Sequence, residues 1–129
     1  MIKSSKHFSE KELACKCGKC EFKGMDSNFM LKLEKIRQDS RWAKPIRLSS
    51  AYRCAEHNAR VSSTGENGPH TTARAVDCLI SSEDAILFTV IAYQHGMTGI
   101  GWKQKGDYGS RFVHIDDLTE GKRPHSWSY

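Results

Sequence analysis

No segment of this 129-residue chain is apolar for long enough to cross a lipid bilayer. A membrane-spanning helix needs about 20 apolar residues, and the longest apolar stretch, residues 85–93, falls well short of that length. The first six residues include two lysines, but the apolar region of a secretory signal peptide does not follow them. We therefore expect synthesis in the cytoplasm without a signal peptide, and no insertion into a membrane.

The chain also lacks internal repeats, low-complexity tracts and dividing linkers, which predicts a single domain over residues 1–129. Its formal net charge of +5 favours polyanionic surroundings, either nucleic acid or an anionic bacterial envelope. The basic residues are scattered, however, and they form no stripe with aromatic residues of the kind that binds single-stranded nucleic acid. We expect a monomer with no nucleic-acid partner.

The chain has an odd number of cysteines, five, so they cannot all form disulfides within it. Cys15, Cys17 and Cys20 crowd together, and with Cys54 they could hold a second, structural zinc ion. Only the Cys17-x-x-Cys20 half has the spacing of a zinc site. Reduced buried thiols are the favoured alternative.

Periodicity and capping residues predict an α+β fold, a small, mostly antiparallel sheet with helices packed on one face. The predicted helices cover residues 9–14, 27–39 and 55–60 and a fourth segment between Ser82 and Gly96. The predicted strands cover residues 45–49, 73–80, 99–103 and 111–117.

Two histidines and an aspartate, His70, Asp77 and His114, form a candidate metal site. Two imidazoles and one carboxylate suit a zinc ion that keeps one position open, which is the arrangement of catalytic zinc. The competing interpretation is two surface histidines beside a strand-end carboxylate. Asp116 shares a strand face with His114, so it could orient that imidazole or accept a proton from an attacking water.

These residues resemble the zinc D-Ala-D-Ala carboxypeptidases and the phage L-alanyl-D-glutamate endopeptidases, which share their fold with hedgehog domains. The family pattern Ser-x-His-x-x-Gly-x-Ala-x-Asp is matched at His70, Ala75 and Asp77, while Gly68 and Ala73 replace the serine and the glycine. Residues 50–53, Ser-Ala-Tyr-Arg, with Asn58, are similar to the family's Ser-Gly-Tyr-Arg…Asn segment. Residues 99–102 and 112–116 are similar to its last two strands, and Trp127 also fits.

The resemblance implies zinc on His70, Asp77 and His114, and a substrate carboxylate or oxyanion held by Arg53. It also makes Tyr52 and Trp102 candidate substrate-binding residues. Many members carry an acidic general base three residues before the last histidine, where this chain has Arg111. Asp116 is therefore the predicted base and Asp107 the second choice.

The sequence thus predicts a zinc peptidase that hydrolyses amide bonds in peptidoglycan stem peptides, either an endolysin-like endopeptidase or a D-Ala-D-Ala carboxypeptidase. A small basic chain of this kind resembles phage lysis enzymes, which reach the bacterial cell wall after holin-type release. The alternative is a non-enzymatic zinc module, either hedgehog-like or a cysteine-knuckle nucleic-acid binder.

Overall fold

Four helices and five strands make up the protein, whose computed structural model describes residues 1–129. The helices are α1 (Glu10–Leu13), α2 (Ser27–Gln38), α3 (Ala55–Val61) and α4 (Ser82–Gln94). The strands are β1 (Leu48–Ser50), β2 (Ala75–Cys78), β3 (Gly99–Lys103), β4 (Phe112–Asp116) and β5 (His125–Ser128). Short 3-10 turns cover Gly65–Asn67, Pro69–Thr72 and Tyr108–Ser110. None of the helices combines the length and the apolar character needed to span a membrane.

Capping side chains determine where the helices begin. Ser9 and Glu12 form a reciprocal capping box at α1, with Ser9 N donating to Glu12 Oε2 over 2.9 Å. Asp26 caps α2 by accepting from Phe29 N over 2.9 Å. At α4 the sequence suggests Ser82 as the cap, but the N-cap residue is Ser81, whose side chain makes no capping hydrogen bond.

The strands form one mixed sheet in the order β1-β2-β4-β3-β5. The pairs β1–β2, β2–β4 and β4–β3 are antiparallel, whereas β5 runs parallel to β3. The α+β class is therefore confirmed. The parallel edge comes from β5, a strand that the sequence pattern does not predict, because residues 117–129 have no regular apolar alternation.

Alternation along the strands gives the sheet two chemically different faces. One face is apolar and packs against α2 and α4 in a single hydrophobic cluster. From the sheet this cluster takes Val76, Cys78, Ile100, Val113 and Ile115, and from the helices it takes Phe29, Met30, Leu33, Ile36, Ala85, Phe88, Ile91 and Ala92. Each large apolar side chain buried in this way stabilises the fold by about 1.5–3 kcal/mol. Helices α2 and α4 leave the opposite face, which carries Asp77 and His114, available for other contacts.

Glu34 of α2 holds the N-terminal segment on the domain. Its carboxylate accepts from the Ser5 hydroxyl, from His7 N over 2.9 Å and from His7 Nδ1 over 2.7 Å. Burial raises the pKa of Glu34, but the hydrogen bonds from Ser5 and His7 outweigh that effect and lower the pKa overall. The charged form of Glu34 is therefore favoured by folding.

Candidate active site

A row of side chains crosses all five strands on the polar face of the sheet. Strand register places Ser50 of β1 opposite Asp77 of β2, and Asp77 opposite His114 of β4. His114 is paired in turn with Gly101 of β3, and Gly101 with Trp127 of β5. Because residues at one register level share a face, backbone pairing alone brings Asp77 and His114 together.

His70 joins this pair from the 3-10 turn Pro69–Thr72. Its Nε2 lies 3.2 Å from Asp77 Oδ1, and His114 Nδ1 lies 3.0 Å from the same oxygen. One ligand atom from each of the three residues lies within 4.8 Å of the others, and all three side chains are buried. The predicted trio is therefore brought together, at a spacing from which all three can bind one cation.

Second contacts fix the orientation of both imidazoles. His70 Nδ1 donates to the carbonyl oxygen of Ala51 over 2.7 Å, and His114 Nε2 donates to Asp116 Oδ2 over 2.8 Å. Because these acceptors carry no hydrogen, each imidazole uses one N–H for them, and its other ring nitrogen faces Asp77, where it can carry either a proton or a metal ion. When a metal ion replaces those protons, two nitrogen lone pairs and a carboxylate oxygen point to one place, which is the chemistry of a metal site.

Electrostatics keep Asp77 anionic. Burial raises the pKa of Asp77, but hydrogen bonds from His114 and His70 outweigh it and hold that pKa well below its usual range. For His114, burial lowers the pKa, and the neighbouring Asp116 and Asp77 carboxylates raise it further than burial lowers it. The site thus attracts positive charge.

Asp116 lies behind His114, on the side of the imidazole that faces away from Asp77. Its Oδ2 accepts from His114 Nε2 and Arg123 Nη2, both over 2.8 Å, and its Oδ1 accepts from Arg123 Nε over 3.0 Å and Leu118 N over 3.3 Å. Burial raises the pKa of Asp116, but His114 and Arg123 lower it to about 2. Protein donors occupy both oxygens, so the contacts favour orientation of His114 over proton transfer.

Two positions on β3 must lack a side chain for this arrangement to fit. A Cβ built on Gly101 would lie 2.5 Å from Trp127 Nε1, whose indole sits 5.1 Å from the His114 ring, centroid to centroid. A Cβ on Gly99 would lie 2.5 Å from Arg123 Nε and would also clash with the Asp116 carboxylate. The glycines thus let Trp127 and the Asp116–Arg123 pair lie close to the sheet.

Arg53 reaches the site from the segment between β1 and α3. Its Nε donates to Ser50 Oγ over 3.0 Å and its Nη1 to Asn58 Oδ1 over 3.1 Å. Its Nη2 lies 3.5 Å from Asp77 Oδ2. Ser50 and Asn58 therefore hold the guanidinium beside the metal-site carboxylate.

A cleft of about 860 Å³ opens above the trio. Positive side chains on its wall are Arg53, Lys103 and Arg123, while Asp77 is its only acidic residue. Hydroxyl groups come from Ser49, Ser50, Ser62, Ser63, Thr64 and Tyr129, and further rings from Phe112, His125 and Trp127. The cleft therefore suits a ligand that carries negative charge and hydrogen-bonding groups.

Four residues predicted for catalysis or substrate binding do not line this cleft, namely Asp116 behind His114, Trp102, Tyr52 and Asp107. Trp102 follows Gly101 by one residue, so its side chain leaves the opposite face, where its Nε1 donates to Thr89 Oγ1 over 2.9 Å. Tyr52 packs against Phe22, with ring centroids 5.8 Å apart. Asp107 is exposed on the turn before β4. Trp102, Tyr52 and Asp107 therefore lie away from the cleft in which their suggested roles would be performed.

The C-terminal residues contribute parts of the site to which the sequence motifs assign no role. Arg123 pairs with Asp116, and His125 and Tyr129 line the cleft. His125 stacks on Trp127 with ring centroids 5.7 Å apart. The only sequence feature that points to this segment is Trp127, because the parallel pairing of β5 with β3 is a long-range contact.

The sheet face, the cleft and the three convergent ligands are the features expected of a metal-dependent hydrolase. A family model described as Peptidase M15 matches residues 6–116, most of the chain. The chain belongs to the Peptidase M15 family of zinc-dependent metallopeptidases, which confirms the family resemblance. No curated protein and no solved structure matches the chain.

Proposed function

We propose that the protein is a zinc peptidase that hydrolyses amide bonds in peptidoglycan stem peptides, as an endolysin-like endopeptidase or a D-Ala-D-Ala carboxypeptidase. The observation that carries this proposal is the buried trio of His70, Asp77 and His114 below an open cleft in an M15 chain. The sheet with its helices on one face supports a hedgehog/D-Ala-D-Ala peptidase-like fold within one domain, and we propose that it acts as a monomer.

The donor set fits zinc. His70 and His114 would each supply a nitrogen lone pair and Asp77 an oxygen, and three protein ligands leave one position free. Bound there, zinc would supply Lewis-acid chemistry, polarising a carbonyl oxygen and lowering the pKa of water. Asp116 and the Ala51 carbonyl would keep the two imidazoles in the ligating tautomers.

Arg53 is proposed to hold the substrate. A guanidinium binds a carboxylate or an oxyanion through two parallel N–H groups. Ser50 and Asn58 accept from Nε and from one N–H of Nη1, which leaves Nη2 and the second N–H of Nη1, at the end next to Asp77, to form the paired contact with the substrate. Lys103 adds positive charge on the cleft wall, which supports a substrate rich in carboxylates.

Proton transfer is assigned to His125. Apart from the ligands His70 and His114, it is the only imidazole that lines the cleft. An imidazole changes its charge near neutral pH and can both accept and donate a proton. Asp116, the base that the sequence favours, is proposed to orient His114 instead.

The protein is proposed to be made in the cytoplasm and to reach the cell wall after holin-type release, as the resemblance to phage endopeptidases implies. Its net charge of +5 supports adsorption to an anionic wall.

Digestion of purified murein tests the function. We expect the zinc-loaded protein to release new peptide termini, identified by mass spectrometry, and we expect a chelator to stop this release and added zinc to restore it. His114→Ala should lose the activity. His95→Gln should keep it, because His95 bonds Asp39 at the end of α4, outside the cleft.

The same experiment addresses the non-enzymatic alternative. A non-enzymatic zinc module, whether hedgehog-like or a nucleic-acid binder, would create no new peptide termini. Cleavage that continues in His114→Ala would refute the assignment of the catalytic site.

A further inference from the structure

Four cysteines converge at a place separate from the cleft. Cys15, Cys17 and Cys20 belong to the loop after α1, and Cys54 lies immediately before α3. Their four sulfur atoms all lie within 4.8 Å of one another. The sequence-based alternative of buried reduced thiols does not describe them, since Cys20 is exposed and the other three are half-buried.

The sulfur spacing is that of a metal site. Cys54 Sγ lies 3.8 Å from Cys15 Sγ and 3.9 Å from Cys17 Sγ. A zinc–sulfur bond of about 2.3 Å in a tetrahedral site places neighbouring sulfurs roughly 3.8 Å apart. All five cysteines of the chain are free thiols. Four thiols held at that spacing need only lose their protons to surround a cation.

Backbone amides are already directed at the sulfurs. Cys17 Sγ accepts from the amides of Lys19 and Cys20, each over 3.4 Å. Cys15 Sγ accepts from Cys54 N over 3.4 Å. Such N–H groups stabilise thiolate ligands, because hydrogen bonds to charged acceptors are the stronger ones.

The surroundings compensate the charge that such a site would carry. Four thiolates around a divalent cation leave a net charge of −2. Two cationic side chains, Lys19 and Arg60, border the same hollow as Cys17, Cys20 and Cys54. Arg60 is paired there with Glu56 over 2.9 Å, so Lys19 supplies the net positive charge. Positive charge beside the cluster favours the deprotonated, metal-binding form of the thiols.

We propose that Cys15, Cys17, Cys20 and Cys54 bind a second zinc ion as a closed, structural tetrathiolate site. With four protein ligands no position remains for water or substrate, so this ion serves the fold rather than the chemistry. It joins the loop after α1 to the start of α3, two segments that are 39 residues apart along the chain at Cys15 and Cys54.

The cysteine site also anchors the segment that supports the catalytic trio, a consequence that rests on the proposed function. Residues 51–54 lead directly into Cys54. Within them, the Ala51 carbonyl accepts from His70 Nδ1 and Arg53 N donates to the His70 carbonyl over 3.1 Å. Tyr52 N donates to the Leu13 carbonyl over 3.1 Å, which ties the same segment to α1.

Metal content of the whole purified protein tests the proposal. We expect two zinc ions per chain by elemental analysis, falling to one in Cys20→Ser and to one in His114→Ala. Cys78→Ala is the matched control, because Cys78 is a buried core thiol outside the cluster and its loss should leave both ions in place. If the wild type bound a single zinc ion and Cys20→Ser removed it, the catalytic zinc site would be refuted and the cysteine site would be supported.

Cobalt substitution gives a test that needs no variant. Cobalt in a tetrathiolate site should show an intense sulfur-to-metal charge-transfer absorption, which a site of two histidines and an aspartate cannot produce. Denatured protein with chelator should titrate as five thiols, in agreement with the five free cysteines. Absence of the absorption, a titration of only three thiols, or iron in place of zinc would each overturn the proposal.

Discussion

Replacing Asp116 with asparagine separates orientation of His114 from general-base catalysis. Asparagine keeps the shape of the side chain but loses its charge, and one of its two terminal atoms becomes a donor. In the folded protein each Asp116 oxygen accepts two N–H groups, so the new amide nitrogen must face a donor whichever way it turns. The substitution therefore disturbs the support of His114 while leaving all three ligands present.

The expected size of the effect follows from these contacts. Loss of the partner behind a ligating imidazole lowers metal affinity about 10- to 100-fold, or about 1.4–2.8 kcal/mol. Removing one member of a buried ion pair costs about 3–5 kcal/mol of folding free energy. The Arg123 side chain keeps 12% of its surface exposed, so some water remains available to it and we expect about 3 kcal/mol.

Zinc titration against a competing chelator, thermal unfolding and murein cleavage at saturating zinc measure the three consequences. We expect weaker zinc binding and a lower melting temperature, with turnover of the zinc-saturated variant within about tenfold of wild type. Asp107→Asn is the control, because Asp107 is exposed and lies outside the cleft. Unchanged zinc affinity, or turnover that falls about 10³-fold with zinc still bound, would refute the orienting role.

Four further predictions address the cleft and the fold. His125→Gln should keep its zinc and lower kcat about 10²-fold, and wild-type kcat in this variant would remove His125 from the mechanism. Arg53→Lys should keep its zinc and lower kcat/KM at least tenfold, because an ammonium group cannot form the forked contact; equal kinetics would argue against that role. Gly101→Ala should displace Trp127 from the sheet and lower the unfolding free energy by about 1–3 kcal/mol in urea, which unchanged stability would contradict. Because the pKa of Glu34 is lowered by folding, its charge stabilises the protein above the unfolded value of about 4.3, and that contribution is lost as the pH falls through the folded value. Glu34→Gln should therefore flatten the acid limb of a plot of unfolding free energy against pH, and an identical limb would be inconsistent with the lowered pKa.

The metal trio could be predicted from sequence because its ligand types and the motifs around them resemble a known family, although its members come from separate stretches of the chain. His70 and Asp77 lie in one short motif, and strand alternation places His114 and Asp116 on the same face. The capping residues Ser9 and Asp26 likewise act within one helical turn and locate α1 and α2 correctly.

The remaining parts of the site depend on contacts between distant residues. The register between β3 and β4 determines whether Gly101 or Trp102 faces His114. No local sequence pattern predicts that register. The role of Arg123 follows only once β5 has joined the edge of the sheet. The approach of Cys54 to Cys15 similarly requires the fold, so spacing alone favoured reduced thiols there.

The three ligands differ in what holds them, and this difference bears on how the two proposed metal sites interact. Asp77 and His114 are fixed by the pairing of β2 with β4, which involves none of the four clustered cysteines. His70 stands on a turn whose contacts to Ala51 and Arg53 belong to the segment ending at Cys54. Loss of metal from the cysteine cluster should therefore affect the catalytic site only through His70. We expect the catalytic site to bind zinc more weakly while Asp77 and His114 remain paired. Since a metal site needs all its donors within bonding reach at once, restraint of that one turn decides how well the catalytic site is formed before any ion binds.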